Sequence, residues 1–599
     1  MTIAPTAEQL FAQALALHGG GQLAEAVSAY RQVLGLRPEA AAVLVNLGIA
    51  LQGLNRLNEA EAALRQATIA LPDLAEAQNS LGCVLGALGR PSEAEAALRR
   101  AIALKPADPE PHNNLGNLLE AVGQWEQAAA CYRQAIALAP ERAQPLSNLG
   151  AVLVKLHRPQ EAIHACQAAL RLAPNNAEAA NNLGNAWLEA GQEAEAEAAF
   201  TRASGLPQAA TNLAALLYDQ ERFAEAVALL DQTIAAHPGY AEAHNTLGNS
   251  RLALNRLEDA EAALRQAVAL APDNAQFHFN LSAALLKQGR FAEGWREYDW
   301  RRRCPGNPLG RIDYLQPHWA GEPLDGRTLL LYGEQGLGDT LQFCRYAALA
   351  AALDGRVVLQ AQAPLLRLLR SLPGGVEVIG FDAPLPAFDC HLPLMSVPAL
   401  LEDRASIPYL RADPAGWTGR LAALPGLKVG LAWAGDPRPY NKIAHRLDSR
   451  RSLRLEQLAP LAKLGGVSWI SLQKGSPAAQ TLPPGLVLHD WMDEMTDMAD
   501  TAALVAALDL VVAVDTSIAH LAGALGKPVW ILSRFDGCWR WLHDRDDSPS
   551  YPTARLFRQP RPGDWEAVVV RLGAALSRGD YSSPPPGGAR PQRQQPGRP

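Results

Sequence analysis

The sequence lacks the patterns that identify secreted, metal-binding or membrane-spanning proteins. Seven cysteines occur among 599 residues and no two form a Cys-x-x-Cys pair, so we expect neither a disulfide framework nor a metal site. No apolar run approaches the ~20 residues that span a bilayer, and no basic N-terminal segment precedes a long apolar stretch. We therefore expect a cytoplasmic protein with no transmembrane segment.

Charge differs between the two parts of the chain. Residues 1–306 contain 24 Lys and Arg against 32 Asp and Glu, a net charge of −8, whereas the remaining residues contain 30 against 29. An acidic surface repels a phosphate backbone, so we expect no nucleic-acid partner for the first part.

A period of 34 residues runs through the first half. An acidic residue or glutamine followed by alanine or glycine recurs with one step shortened to 30 residues, at Glu25, Glu59, Glu93, Gln127, Glu161, Glu195, Glu225, Asp259 and Glu293. This pattern resembles the tetratricopeptide repeat and covers about nine units over residues 7–303. Each unit is expected to be a helix pair that stacks on its neighbours, which predicts an all-α superhelix. The short step predicts a local irregularity near Gly205-Leu206-Pro207.

Asparagine recurs at one position of the repeat, directly before the marker leucine. It occupies six of eight equivalent places, at Asn46, Asn114, Asn148, Asn182, Asn212 and Asn280. Because a carboxamide both donates and accepts hydrogen bonds, such a row could bind the main chain of an extended peptide. The asparagine ladder of O-GlcNAc transferase is similar. The alternative is that asparagine only supports the local turn.

The second half changes to short apolar runs alternating with helices. Strands are predicted at 329–332, 357–360, 376–379, 429–433, 467–472, 508–514 and 529–532, and helices at 340–353 and 517–525. This alternation predicts parallel sheets in two Rossmann-like halves, 327–425 and 426–576, with ligands at the carboxyl ends of the strands. We expect residues 304–326 to be a linker and residues 577–599, which are rich in Pro, Gly, Gln and Arg, to be disordered.

A glycine-rich turn follows the first predicted strand, at Gly333-Glu-Gln-Gly336-Leu-Gly338-Asp339. Asp339 stands where a P-loop requires lysine, and Leu341 stands at the third glycine of the dinucleotide motif, so neither ATP nor NAD binding is supported. The turn brings backbone close to a ligand and places a carboxylate at a helix start, where it could serve as a general base or as a cap.

A second polar turn follows the strand at 508–514. Asp515, Thr516 and Ser517 offer hydroxyls and free N–H groups at a helix N-terminus, which suits a pyrophosphate. His520 lies one turn later on the same face.

Four motifs together resemble the heptosyltransferase family of GT-B glycosyltransferases. They are Gly338-Asp339, Trp433-Ala-Gly435, Asp515-Thr516 with His520, and Gly526-Lys-Pro528. The resemblance implies that Asp339 is the catalytic base and that Thr516, Ser517 and His520 hold the donor diphosphate, with Gly336, Gly338 and Asp515 beside it. It also implies a nucleotide-sugar as donor substrate and no cofactor or metal, since this fold neutralises the leaving diphosphate with cations and helix ends.

Two points stay open at this stage. The donor-phosphate cation of the family corresponds to Lys442 or Arg451, with Arg446 a further candidate, because the spacing here differs. The aromatic segments 536–541 and 547–552 either shape a ligand pocket or pack the second half of the α/β region.

The expected function is sugar transfer from a nucleotide-sugar to an acceptor hydroxyl, with a protein acceptor recruited by the repeats. The layout parallels that of O-GlcNAc transferase. One alternative acceptor is a glycan or lipopolysaccharide precursor. A different alternative is a non-catalytic adaptor with a degenerate transferase domain. A homo-oligomer is compatible with both the enzyme and the adaptor.

Overall fold

The structure of the protein is a computed structural model that describes residues 5–307, 312, 314–403, 405–579 and 581, apart from the side chains of residues 442 and 443. It divides into two compact units, Met1–Leu217 and Tyr218–Pro599.

The first unit is a stack of helix pairs. Its helices are α1 Ala7–Gly19, α2 Leu23–Leu36, α3 Ala41–Gly53, α4 Leu57–Ala70, α5 Ala75–Ala87, α6 Pro91–Leu104, α7 Pro109–Ala121, α8 Trp125–Leu138, α9 Ala143–Lys155, α10 Pro159–Leu172, α11 Ala177–Glu189, α12 Glu193–Arg202 and α13 Pro207–Asp219, the last of which contains the boundary between the units. The predicted helix pairs of the repeats are confirmed.

A glycine in the first helix of a repeat allows the two helices to approach closely. A β carbon added at this glycine would overlap a larger side chain sixteen positions later, as at Gly48 with Leu64, Gly82 with Leu98, Gly116 with Tyr132, Gly150 with Cys166, Gly184 with Phe200, and Gly248 with Leu264 in the second unit. The Leu-Gly signature of the repeat therefore has a packing cause.

The predicted irregularity of the repeat array is confirmed. Helix α12 has 10 residues, whereas the second helices of the preceding and following repeats, α10 and α14 (Phe223–Ala236), have 14 each. The Leu206 N–H donates to the carbonyl of Ala203 (2.9 Å), which tightens the turn before Pro207. The missing four residues are thus removed from the end of a second helix.

The second unit begins with the remaining repeat helices and continues into an α/β region. Its helices are α14 Phe223–Ala236, α15 Ala241–Ala253, α16 Leu257–Leu270, α17 Ala275–Lys287, α18 Phe291–Tyr298, α19 Leu337–Phe343, α20 Arg345–Ala351, α21 Leu366–Leu369, α22 Ala415–Ala422, α23 Lys442–Arg451, α24 Met498–Ala507, α25 Ser517–Ala524 and α26 Trp565–Ser577. Among the described residues, no helix is both long enough and apolar enough to span a bilayer.

Within the part of the chain that the structure describes, ten strands form two sheets whose neighbouring strands are all parallel. The strands are β1 Thr328–Tyr332, β2 Arg356–Ala361, β3 Glu377–Gly380, β4 Cys390–Pro393, β5 Leu427–Ala432, β6 Val467–Ser471, β7 Leu488–His489, β8 Leu510–Val514, β9 Val529–Ser533 and β10 Ala554–Arg558. The first sheet has the order β3-β2-β1-β4 and the second the order β10-β9-β8-β5-β6-β7. Counted from its own first strand, the second sheet has the doubly wound order of dinucleotide-binding folds. The predicted parallel sheets are confirmed.

Alternate residues of the strands belong to different cores. Leu329 and Leu331 of β1 join Val511 and Ala513 of β8 in one large buried cluster. Val512, on the opposite face of β8, packs in a second cluster with α26. Both faces of the strands are buried, which explains why the parallel strands are continuous apolar runs in the sequence.

Several details differ from the sequence-based expectations. The helix predicted at 340–353 begins at Leu337 and is divided into α19 and α20 at Cys344. Strands β4, β7 and β10 were missed, because β7 has only two residues and the other two carry polar or charged side chains. Within the predicted linker, Trp319 and Leu324 are buried in the larger core. Most of the predicted disordered tail, residues 580 and 582–599, lies outside the described residues.

Candidate active site

The glycine-rich turn leads from the carboxyl end of β1 into α19. Asp339 is the third residue of α19, and its Oδ2 accepts a hydrogen bond from the Gly336 N–H (2.9 Å). The side chain of Asp339 is 21% exposed. The carboxylate therefore closes its own turn and still reaches solvent, so the capping role and the proposed catalytic role are compatible.

The other oxygen of Asp339 accepts a hydrogen bond from Arg540. Arg540 belongs to the Trp539–Trp541 turn, and its guanidinium lies over the ring of Trp539 at 4.2 Å from the centroid. Arg540 was not among the site residues predicted from the sequence. The available signal was an arginine between two tryptophans, because flanking aromatic side chains bury and orient a guanidinium.

Glu334 holds the same turn through a buried ion pair. Arg301 donates to both carboxylate oxygens of Glu334, at 2.6 and 2.8 Å, and both side chains are 1% exposed. Glu334 also accepts from the Met395 N–H (3.1 Å), while Gln335 donates to the Tyr298 hydroxyl (3.0 Å). The glycine-rich turn is thus fixed to the end of the last repeat, a relationship that the sequence analysis did not predict.

The second polar turn lies at the carboxyl end of β8. Thr516 precedes α25 in an extended conformation, and Ser517 is the first residue of that helix. Among the described residues, the buried Thr516 Oγ1 has no hydrogen-bond partner. The predicted helix N-terminus is therefore present, with a hydroxyl beside it that no protein group satisfies.

His520 is held from two sides within α25. Its Nδ1 lies 3.0 Å from the Tyr551 hydroxyl, and its ring stacks on Trp541 with 5.2 Å between centroids. Burial lowers the pKa of His520 to about 4, although Asp515, whose Oδ1 is 4.0 Å from Nε2, opposes the shift. His520 is therefore a neutral side chain at physiological pH.

The two polar turns meet. A β carbon added at Gly338 would lie 3.0 Å from Cδ2 of His520 and 3.4 Å from Cα of Ser517. Glycine at 338 is what allows this approach. The structure thus brings together Gly338, Asp339, Ser517 and His520, which belong to different halves of the predicted α/β region.

The candidate cations lie after β5. Arg451 is 2.9 Å from Oδ1 of Asp448, and these two side chains occupy the space that a side chain at Gly435 would need. Arg446 forms an ion pair with Asp219. Lys442 begins α23, but its side chain lies outside the described residues. Arg451 therefore lies at the Trp433-Ala-Gly435 segment, in an ion pair of its own.

Two of the cavities in the second unit lie near the polar turns and the candidate cations. One of about 530 Å³ lies at the carboxyl ends of β5, β6, β9 and β10, and is lined among others by Ala434, Arg450, Ser476, Arg534 and Gln559. The other, of about 650 Å³, is lined among others by Trp295, Gln342, Phe343, Tyr346, Trp539 and Arg540. Both volumes are in the range of small-molecule sites.

The repeat asparagines form hydrogen bonds between neighbouring repeats. In the first unit, the side-chain amides of Asn114, Asn148 and Asn212 each donate to another asparagine side chain, while that of Asn182 donates to Ser147. In the second unit, Asn280 donates to Asn245 (2.8 Å). Asn46 donates to the carbonyl of Ala42 within its own helix (2.9 Å). The row therefore has a structural role, which leaves peptide binding as an additional prediction.

Comparison with known proteins identifies the repeats. Models described as the tetratricopeptide repeat match residues 17–82, 75–108, 109–142, 147–210 and 217–285. The first half of this chain consists of tetratricopeptide repeats. A curated relative, Protein FlbA of Caulobacter vibrioides (strain ATCC 19089 / CIP 103742 / CB 15), is 29% identical over 335 residues, and the match covers 50% of this chain and 54% of FlbA. The match thus spans about half the length of that relative.

Among solved structures, the repeats are similar to MamA, with 23% identity, 28% of this chain and 91% of that chain covered, and a TM-score of 0.26. They are also similar to the APC/C hetero-tetramer Cut9-Hcn1, with 17% identity, coverages of 46% and 55%, and a TM-score of 0.37.

Proposed function

We propose that this protein is a GT-B glycosyltransferase that transfers a sugar from a nucleotide-sugar donor to an acceptor hydroxyl. The observation that carries the proposal is the contact between the Gly338-Asp339 turn and the N-terminus of α25. These turns follow β1 and β8, at the places where the strand order of each sheet reverses, between β1 and β4 in the first sheet and between β5 and β8 in the second. Ligands of open parallel sheets bind at such positions.

The proposed reaction assigns a chemical role to each turn. Asp339 accepts the proton of the acceptor hydroxyl, whose oxygen forms a bond to the anomeric carbon of the donor sugar. The bond from that carbon to the phosphate oxygen breaks, and its electron pair leaves with the nucleoside diphosphate. The N–H groups at the start of α25 stabilise the developing negative charge without a metal ion.

The nucleoside of the donor is proposed to bind in the cavity of about 530 Å³. It lies at the carboxyl edge of the second sheet, where the donor is proposed to bind. Its lining combines Ala434 with polar groups from Ser476 and Gln559, which fits the mixed apolar and polar surface of a nucleoside.

The cavity of about 650 Å³ supports an acceptor site for a protein segment. Its lining combines the aromatic side chains of Trp295, Phe343 and Tyr346 with charged groups, among them Arg345, Asp403 and Arg540. Because Trp295 belongs to the last repeat, the cavity adjoins the repeats that are proposed to recruit a protein acceptor. This position, rather than the chemistry of the lining, supports a protein acceptor.

Donor binding and transfer provide the first test. Nucleoside diphosphates of the four common bases are screened by thermal shift, because a ligand of the native state raises the melting temperature. Transfer is then measured with the matching nucleotide-sugars and a bacterial lysate as the acceptor source. We expect Asp339→Asn to lower transfer by about 10²- to 10⁴-fold, and transfer to persist in EDTA.

Asp354→Asn is the matched control, because Asp354 is an exposed carboxylate just after α20. Equal transfer by the Asp339→Asn and Asp354→Asn variants would remove Asp339 as the base. Absence of both nucleotide binding and transfer would favour the adaptor function.

Mass spectrometry of the reaction products tests the acceptor. Glycosylated peptides that form only with active protein would support a protein acceptor, whereas labelled glycan alone would contradict it. We expect Asn148→Ala combined with Asn182→Ala to lower protein labelling, because both carboxamides belong to the asparagine row. Asn58→Ala is the control, since Asn58 is exposed on a second helix.

A further inference from the structure

The side chain of Arg540 forms a hydrogen bond with the carboxylate of Asp339, the proposed catalytic base. Its Nη2 donates to Asp339, and its Nη1 lies 3.2 Å from Sγ of Cys538. The side chain is only 11% exposed. Among the described residues its buried Nε has no hydrogen-bond partner. A guanidinium has five N–H donors, so the contacts with Asp339 and Cys538 leave donor capacity unused.

The backbone around Arg540 is held by the last two repeats. Asn255 donates to the carbonyl of Phe535 (2.9 Å), and Lys287 donates to the carbonyl of Asp536 (2.9 Å). Trp295 contacts the ring of Trp539 edge to face, with 5.2 Å between centroids. The segment has a fixed position, so the freedom that remains belongs to the guanidinium itself.

Arg540 also lies beside the proposed diphosphate site. The adjacent residue, Trp541, stacks on His520 of α25. Arg540 donates a hydrogen bond to Asp339, and the residue before Asp339 is Gly338. A β carbon added at Gly338 would lie 3.4 Å from Cα of Ser517, the first residue of α25. A diphosphate at the start of α25 would therefore be a second anion close to the guanidinium.

We propose that Arg540 is shared between Asp339 and the donor diphosphate. In the free protein the guanidinium neutralises the carboxylate. When the donor binds at the start of α25, the guanidinium transfers to a phosphate oxygen and frees Asp339 to accept the acceptor proton. This inference rests on the proposed glycosyltransferase function and adds a donor-binding residue and an order of events to it.

The physical basis is competition between two anions for one cation. Guanidinium forms bidentate hydrogen bonds with phosphate as readily as with carboxylate, and a diphosphate carries more negative charge. In the free protein both carboxylate oxygens of Asp339 already accept hydrogen bonds, from Arg540 and from the Gly336 N–H, and these bonds compete with the acceptor hydroxyl. Release of Asp339 by the donor would couple activation of the base to the presence of the sugar.

A double-mutant cycle tests the sharing. The affinities of ADP, CDP, GDP and UDP are measured by calorimetry for the wild type, Asp339→Asn, Arg540→Gln and the double variant. We expect Arg540→Gln to weaken binding of the preferred nucleotide by about tenfold or more, since a charge-assisted hydrogen bond is lost. Asp339→Asn should tighten binding by about three- to tenfold, and this gain should be at least about threefold smaller in the Arg540→Gln background.

The cycle separates sharing from simple repulsion. If Arg540 stayed on Asp339, removing the carboxylate would act only through its charge, and the gain would be equal in both backgrounds. Equal gains would overturn the proposal while leaving the glycosyltransferase function intact. If none of the four nucleotides binds any variant, both are contradicted.

Two further measurements protect the test from misfolding. Arg540→Lys keeps the charge and should recover part of the affinity, whereas a purely structural defect would not respond to a restored ammonium. Arg370→Gln is the matched control, because Arg370 is an exposed arginine directly after α21 and lines neither of the two cavities. The affinity of this control variant for the preferred nucleotide should change less than twofold.

Discussion

Gly338 and His520 are in contact across the two halves of the α/β region. A β carbon added at Gly338 would lie 3.0 Å from Cδ2 of His520, whose ring is stacked on Trp541 and hydrogen-bonded to Tyr551. Because the ring is held on both sides, it has little room to move away from an added methyl group.

We therefore predict that Gly338→Ala impairs the site. The variant should lose about 1–3 kcal/mol of stability through overpacking. The displacement of Asp339 from α25 should lower donor turnover by about 10²-fold, since such rates depend on sub-ångström placement. Thermal unfolding and steady-state transfer measure the two effects.

Gly419→Ala is the matched control for this substitution. Gly419 lies within α22, and apart from its own stretch of helix no described residue has an atom within 4 Å of the added β carbon. Alanine there should stabilise the protein by about 0.5–1 kcal/mol, because it reduces the freedom of the unfolded chain. Similar behaviour of the two variants would contradict the packing explanation.

The buried His520 predicts a dependence of stability on acidity. Burial lowers its pKa from the usual 6.5 to about 4, so between these values the unfolded chain binds a proton that the folded protein does not. Stability should fall as the pH is lowered from 6.5 to 4, and His520→Gln should remove up to about 3 kcal/mol of this loss. Thermal midpoints across this range provide the measurement, and parallel pH profiles for the two proteins would contradict the prediction.

The buried Lys287 predicts a dependence of stability on pH at the alkaline end of the range. Lys287 is 3% exposed, and burial lowers its pKa from 10.5 to about 8, with Asp536 opposing the shift. Between pH 8 and 10.5 the unfolded chain holds the proton and the folded protein releases it. The wild type should therefore gain stability over this range relative to Lys287→Met, by an amount on the order of 3 kcal/mol. A difference in melting temperature that is constant with pH would be inconsistent with this account.

The glycines of the repeats predict a rescue by a second substitution. A β carbon at Gly150 would overlap Sγ of Cys166 in the paired helix. We expect Gly150→Ala to destabilise the protein by about 1–3 kcal/mol, and Gly150→Ala with Cys166→Ala to recover much of that loss, because the removed sulfur makes room for the methyl group.

Gly35→Ala serves as the control for this pair, since Gly35 lies in α2 with open space beside it. Equal unfolding midpoints for the single Gly150→Ala variant and the double variant would show that the overlap is not the cause.

Local patterns were sufficient to predict many elements. The 34-residue period predicted the helix pairs and the shortened second helix α12, because each repeat buries the same face against its neighbour. The apolar runs predicted seven of the ten strands found among the described residues, since parallel strands buried on both faces have no polar alternation. The missed strands β4, β7 and β10 are short or carry polar side chains, so their pairing depends on neighbours that are distant in the chain.

The sequence by itself determined the repeat architecture, the parallel α/β class and the two polar turns, because each of these follows from the spacing of nearby residues. Tertiary structure decided that Gly338 packs against His520, that Arg540 bonds Asp339, and that Glu334 pairs with Arg301 of the last repeat helix region. The partners in the first two contacts are 182 and 201 positions apart in the sequence, and no local period relates them. Such contacts arise only when sheets, crossover helices and repeats pack together, since packing and not sequence distance determines which charges and rings meet.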